Sequence, residues 1–319
     1  MKRWLLNGIL GLSLLIAPGA AMADDMGEAA EEAPAISAEA PASNPAMDVF
    51  RKATEVSARL TSYLMSGDLQ ATINIPEAPA PLTANLKLQG AVATEPSRFA
   101  MNMTMEMPKL AGQPAVPNAP GSLDFRFYFD GKQMYMQFPS PKNPASNQWV
   151  KQELNLPAGY ENLLTQSQNP AKALEMMDKM GLMPTNMEET WIDGQRYYVV
   201  TVQIDNARFK SYMQEMMALS QPKEGVSPAE MNEALKKIDM DFRYTYYINA
   251  DTYVTDKTEL NGSERIAAEG KTLSIDITGT VRTHDVNMPV KFPDVSNAID
   301  MKELEKQAEK TAKGIKTSK

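Results

Sequence analysis

Between Phe99 and Met107 every second residue is apolar: Phe99, Met101, Met103, Met105 and Met107, separated by Ala100, Asn102, Thr104 and Glu106. A period of two is that of a strand with one dry face and one wet face. The same alternation runs through SGDLQATINIP (66–76), where Leu69, Ala71, Ile73 and Ile75 share a side. It continues through ANLKLQGAVAT, which carries Leu86 and Leu88, with EPS at 95–97 as the turn into the methionine strand. LDFRFYFDGKQMYMQFP (123–139) predicts a hairpin about Asp130-Gly131, with Phe127 and Phe129 on its first arm. ETWIDGQRYYVVTVQID (189–205) predicts a second about Asp193-Gly194, since Asp-Gly suits the tight turns that join twisted strands. A further strand is expected over 149–154, and the run from Met240 through NMPVKFP reads as a closing meander.

Elsewhere the period lengthens. In 46–64, Val49, Phe50, Ala53, Val56, Leu60 and Leu64 fall on one helical stripe. NPAKALEMMDKMGL (169–182) has Pro170 near a helix start and Gly181 as its stop. NARFKSYMQEMMALS (206–220) and SPAEMNEALKKI (227–238) are two more helical stretches, the second opening on a capping box. AGQPAVPNAPG (111–121) is a proline-rich loop. Strands with inserted helices predict the α+β class: one large curved antiparallel sheet, a half-barrel, with helices packed over its concave face.

The two ends add location. Residues 1–23 join Lys2 and Arg3 to an apolar stretch and an AMA cleavage site, the form of a secretory signal peptide. Residues 24–45 are an acidic leader of Ala, Glu and Pro, too poor in apolar residues to order themselves. A domain is expected over 46–296, then a polar, basic tail over 297–319 as a short helix or a disordered end. No later stretch is long enough to span a bilayer, so no transmembrane segment is expected after cleavage. The chain has no cysteine, which excludes disulfides, thiolate ligands and a lipid-modified cysteine. Its net charge is −8, or −10 without Lys2 and Arg3, which speaks against nucleic acid and against anionic membrane surfaces. The expected location is extracytoplasmic, periplasmic or secreted, in a bacterium.

Methionine is abundant, 23 residues in all. Thioethers are soft ligands, so Met101, Met103, Met105 and Met107 are a formal copper(I) candidate. Same-face residues of one strand lie roughly 6.5–7 Å apart, however, and no His or Cys is nearby in sequence. Methionine also fills irregular apolar space. Met176, Met177, Met180, Met183, Met213, Met216 and Met217 fall in helical pattern, so the strand and the helices read as two walls of one apolar interior. That interior is either plain packed core or core with a lipid-sized cavity. His284, the single histidine, adjoins Asp285 but lacks the companions of a catalytic site. The acids are scattered, and no nucleophile elbow or phosphate loop is present. Tyr244, Tyr246, Tyr247 and Tyr253 read as cross-strand packing.

YYINADTYVTDKTELNG (246–262), followed by ITGTVRTHDVNMPVKFPD (277–294), resembles the closing half of bacterial LolA/LppX-like proteins and their Firmicutes relatives of unknown function. The positions that carry it are Tyr247, Asn249, Asp251, Thr252, Lys257 and Glu259, with SYLMSGDLQATI (62–73), FDGKQMYMQ and NQWVKQEL (147–154) in support. The resemblance implies a half-barrel covered by helices, an apolar cavity for acyl chains, and no catalytic residues. Many such relatives carry a lipobox cysteine, which this chain lacks.

The expected function is that of an exported, non-enzymatic protein holding a lipid or other lipophile between sheet and helices, without metal or cofactor. Its cavity residues are Met101, Met103, Met105, Met107, Leu86, Leu88, Phe127, Phe129, Met176, Met177, Met180, Met183, Met213, Met216 and Met217. The alternatives are an envelope scaffold that docks a protein partner with its core filled, and copper handling.

Overall fold

The computed structural model describes residues 44–76, 78, 80–106, 121–138, 148–153, 170–219, 232–233, 235–268, 270–301 and 303. The expected signal peptide, most of the leader, the proline-rich loop and most of the tail lie outside these residues.

The chain opens with α1 (Pro45–Ser57), which the Asn44 side chain caps by accepting a hydrogen bond from the Ala46 amide at 3.1 Å. Ala46, Phe50 and Ala53 recur at helical spacing and are its buried face. The helix stops seven residues earlier than the apolar stripe predicts. Leu60 leaves it to pack with Tyr63 and Val92 in a second, smaller core, and Leu64 already lies in β1 (Ser62–Asn74). The stripe ran on because Leu60 and Leu64 keep the helical spacing by coincidence, whereas the ladder with neighbouring strands claims the backbone from Ser62.

β1 is followed by β2 (Leu82–Thr94), β3 (Ser97–Glu106), β4 (Ser122–Phe129), β5 (Gln133–Gln137) and β6 (Val150–Glu153). Each pairs antiparallel with the one before it. The Asp130-Gly131 turn is made as expected, with the Asp130 carboxylate accepting from the Lys132 and Gln133 amides at 2.9 and 2.8 Å. Then come α2 (Pro170–Lys179), β7 (Leu182–Ile192), β8 (Gln195–Ile204), α3 (Asn206–Leu219), β9 (Ile238–Asn249), β10 (Thr255–Ala268) and β11 (Lys271–His284). Gly181, at φ +71°, ends α2, because the left-handed conformation that closes a helix carries no penalty at glycine.

The described strands, with β12 (Ile299–Asp300) last in the chain, belong to one open sheet of order β12-β6-β5-β4-β3-β2-β1-β11-β10-β9-β8-β7. It is an α+β half-barrel with free edges rather than a closed barrel. Pairing of β1 with β11 joins two wings, β1–β6 and β7–β11. The described helices serve the second wing: α1 and α2 lie against β7, α1 also against β8, and α3 against β9. The main core is therefore there, where Ala46, Phe50 and Ala53 meet Val200, Val202, Phe242, Tyr244, Tyr246 and Ile248. Phe50 and Tyr246 stand 5.3 Å apart, ring to ring.

The segment NMPVKFP, expected to be strand, is a strap. After β11 the chain crosses the outer face of the first wing, starting at β1, where Asn287 accepts from the Thr61 amide at 2.8 Å and Ser62 donates to the Met288 carbonyl. Phe292 lies 5.7 Å from Tyr128 of β4, with the Arg98 guanidinium 4.5 Å over its ring. The strap ends as β12 (Ile299–Asp300), parallel to β6, so ordered sheet reaches past residue 296 into the expected tail. Pro289 and Pro293 carry no amide hydrogen and so remove two ladder donors, which suits a strap better than a strand.

Candidate functional site

Register decides which side chains meet. Across the first wing, Leu86 faces Met105, Leu88 faces Met103, Gly90 faces Met101 and Val92 faces Phe99. On the other side of β3, Met105 faces Leu123, Met103 faces Phe125, Met101 faces Phe127 and Phe99 faces Phe129. Phe127 and Phe129 then face Met136 and Met134 of β5. Period-two alternation puts all of them on one face, the same face that α1, α2 and α3 cover on the second wing. The outer face is polar: Lys87 pairs with Glu106 at 3.1 Å, and Thr104 donates to Asp124 at 2.7 Å. Glu106 is held below the usual carboxylate range chiefly by its hydrogen bond from Lys87.

The structure thus brings together Met101, Met103, Met105, Leu86, Leu88, Phe127 and Phe129, as the alternation predicts. It adds Leu82, Leu123, Phe125, Met134 and Met136, which the same alternation in LDFRFYF and QMYMQ reveals once the register is known. Leu88 and Phe129 are buried, at 7% and 6% exposed. Leu86, Met101, Met103, Met105, Phe125 and Phe127 are only half-buried. At the margin, Phe138 remains 43% exposed and stands edge-on to Phe125 and Phe127, 6.4 and 6.2 Å away. Met107 lies outside the described residues.

The helical methionines go elsewhere. Met177 is buried in the core of the second wing, with Met180 and Met213 packed against that core. Met176 is half-buried on α2, and Met183 belongs to β7, because Gly181 ends the helix before it. Met216 and Met217 lie in α3, but their side chains lie outside the description. Five strand-to-strand steps separate β3 from β9, about 24 Å along the sheet at ~4.8 Å each. The expected pair of facing methionine walls is therefore not assembled from these residues. Those on the helices pack against the sheet of their own wing, and the band on β2–β5 lies along the other.

The cross-strand partners of Met101, Met103 and Met105 are Gly90 and Phe127, Leu88 and Phe125, and Leu86 and Leu123, none of which offers a donor atom. His284 is exposed, with Nδ1 2.9 Å from the Asp285 carboxylate. Among the described residues, no group of three or more His, Cys, Asp or Glu is placed to hold a metal. Tyr244 and Tyr246 stack at 6.3 Å within the core, and burial pushes the Tyr244 phenol up to about 12. Tyr247 lies on the outer face, where the Lys257 ammonium sits 3.5 Å over its ring.

Two depressions lie away from the band. One, of about 450 Å³, is lined by Trp191, Asp193, Gly194, Gln195, Arg196 and Asp251 at the tip of the β7–β8 hairpin. The other, of about 340 Å³, lies on the outer face among Asp241, Arg243, Thr245, Glu259 and Asn261. Both are lined by polar residues, apart from Trp191, and neither touches the apolar band.

Among solved structures the chain is similar to LprF from Mycobacterium bovis, at 14% identity and a TM-score of 0.37, over 79% of this chain and 97% of that one. It is also similar to the lipoprotein LppX of Mycobacterium tuberculosis, at 14% identity and a TM-score of 0.34, over 79% and 100%. A DUF1329 family protein from Desulfovibrio piger matches at 11% identity and a TM-score of 0.26, over 78% and 94%. No curated protein matches the chain in sequence. A sequence profile does match residues 45–295, from the first residue of α1 to the strap beyond β11, and by it the chain belongs to a family of unknown function, DUF6612.

Proposed function

We propose that this chain is an exported, non-enzymatic binding protein for a lipid or other lipophile, which lies along the inner face of β2–β5. The single observation that carries the reading is the band itself: contiguous Leu, Met and Phe side chains on one face, half-buried, while the helices sit on the other wing. Contiguous apolar surface left partly open marks a binding surface far more often than scattered apolar residues do. Full burial of such a side chain is worth about 1.5–3 kcal/mol, so a ligand that completes the burial of a half-buried one gains a part of that, and several together work against the cost of association, roughly 4–15 kcal/mol. Methionine suits acyl chains of variable shape because its unbranched thioether adapts without strain. The signal-like residues 1–23 support an extracytoplasmic protein. In this reading 46–296 is the binding domain, and 24–45 and 297–319 flank it.

A second reading, a scaffold docking a protein, is favoured by Trp191, 71% exposed on the edge hairpin β7–β8. The two separate in one experiment: native mass spectrometry and lipid extraction of the protein purified from its own host, with Met103→Glu beside it. The carrier reading expects about one lipid per chain and its loss in the variant, whose half-buried position tolerates a charge. Absence of lipid from the wild type, together with no uptake of a neutral fluorescent lipophile, rejects it in favour of the scaffold.

A further inference from the structure

A carboxyl of β10 stands on the apolar face. Glu264 of β10 is opposite Met240 of β9 and Ile275 of β11, and its flanking cross-strand neighbours are Ile238, Phe242, Leu273 and Ile277, all apolar. It is half-buried and has no hydrogen bond or ion pair among the described residues. The register continues from it in a row: Glu264 faces Ile275, Ile275 faces Ile73, and Ile73 faces Leu82, which belongs to the band. Three strand steps, about 14 Å at ~4.8 Å each, thus join the carboxyl to the band along an apolar track. Among the described residues of β10 and β11, the next charged side chain of that face is Lys271, opposite Ala268 at the β10–β11 hairpin, four residues or about 13 Å along β10. Asp239 and Arg265 fall on the outer parity.

An unpaired carboxyl in apolar surroundings costs stability, and a hydrophobic residue at 264 would pack there without that cost. A ligand that supplies a cationic donor removes the cost in the complex alone, which makes the carboxyl a selector of head groups. We propose that Glu264 selects amine-headed lipophiles, pairing with the ammonium while the tail runs along Ile275, Ile73 and Leu82 to the band. Burial raises the Glu264 carboxyl above its ordinary value.

The inference rests on the lipophile reading, and the experiment keeps the two apart. Dodecylamine, dodecanol and dodecanoic acid are titrated at pH 7 as competitors of N-phenyl-1-naphthylamine, a neutral fluorescent probe, in the full chain and in Glu264→Gln and Glu264→Leu. The wild type is expected to bind the amine at least about tenfold more tightly than the acid, the scale of one charge-assisted hydrogen bond. Both variants are expected to keep the probe and bring the amine and the acid within about threefold of each other. A wild type without amine preference, or a preference that survives in Glu264→Gln, overturns the assignment and leaves the band as a binding face. Failure of the probe to bind any of the three proteins rejects the lipophile reading itself, and the head-group assignment with it.

Discussion

Asn249 shows how one side chain holds a long hairpin. It is 4% exposed at the end of β9, and its Oδ1 accepts from the Asp251 and Thr252 amides at 2.9 and 3.0 Å. Those bonds shape the turn that places Tyr253 at φ +58°, a conformation an ordinary residue adopts only when its surroundings compel it. Asn249→Ala leaves both amides without that acceptor, and a loss of about 1–3 kcal/mol is expected from urea unfolding. Glu264 gives a pH signature. Desolvation raises its folded pKa above the ordinary 4.5, so between those two values the native state binds more protons than the unfolded state. Stability from this group is therefore greatest below pH 4.5 and falls as pH rises through the window. Glu264→Gln is expected to remove that part of the slope from denaturation curves recorded across the window; an unchanged slope contradicts the desolvated placement.

Among elements, the strap is the one whose role the alternation concealed. It carries Phe292 over Tyr128 and Arg98, and reaches β6 through Gln148, which donates to the Asn297 carbonyl at 2.7 Å, and through the Ile299 amide bonded to the Trp149 carbonyl. Strands β4–β6 are short and stand beyond the helices, so the strap acts as the outer clasp of that wing. Phe292→Ala removes a half-buried ring, its contact with Tyr128 and a cation–π pair. A loss of about 2–3 kcal/mol is expected, with proteolytic susceptibility rising first in β5–β6 as the measured sign. The methionine strand was read correctly for the opposite reason: alternation over Phe99 to Met105 is a local pattern, and local patterns need no partner to be seen. Met183 keeps the methionine spacing past the Gly181 stop but belongs to β7, so spacing alone does not mark it as helical.

The whole molecule is a sheet with an uneven cover. Helices pack on β7–β9, while β2–β5 carry an apolar face that the described residues leave half-open. That division sets a gradient of local stability. Amide exchange is expected to be slowest in β8–β10, where Val200, Val202 and Ile248 have no exposed surface, and faster in β5, β6 and β12. Slow exchange confined to β4–β6 instead places the stable core in the wrong wing. A bound lipophile is expected to slow exchange in β2–β5 selectively, since a ligand stabilises the native state it binds.

By itself the sequence determined the strand faces, both Asp-Gly hairpins, the Gly181 stop, the α+β class and the absence of thiol chemistry. Each follows from a period or a turn residue within about fifteen positions. Tertiary structure decided what rests on pairing between distant residues. Joining of β1 to β11 made one sheet from two wings, and the register added Phe125 and Met136 to the band. Docking of α1 on β7 and β8, rather than on the strands that follow it, separated the helical methionines from those of β3. Glu264 became notable only through its neighbours: in the chain it is one acid of an SER triplet, and on the sheet it is a carboxyl among Met240, Phe242 and Ile275. Burial is a property of what lies across the strand, and no local period records it.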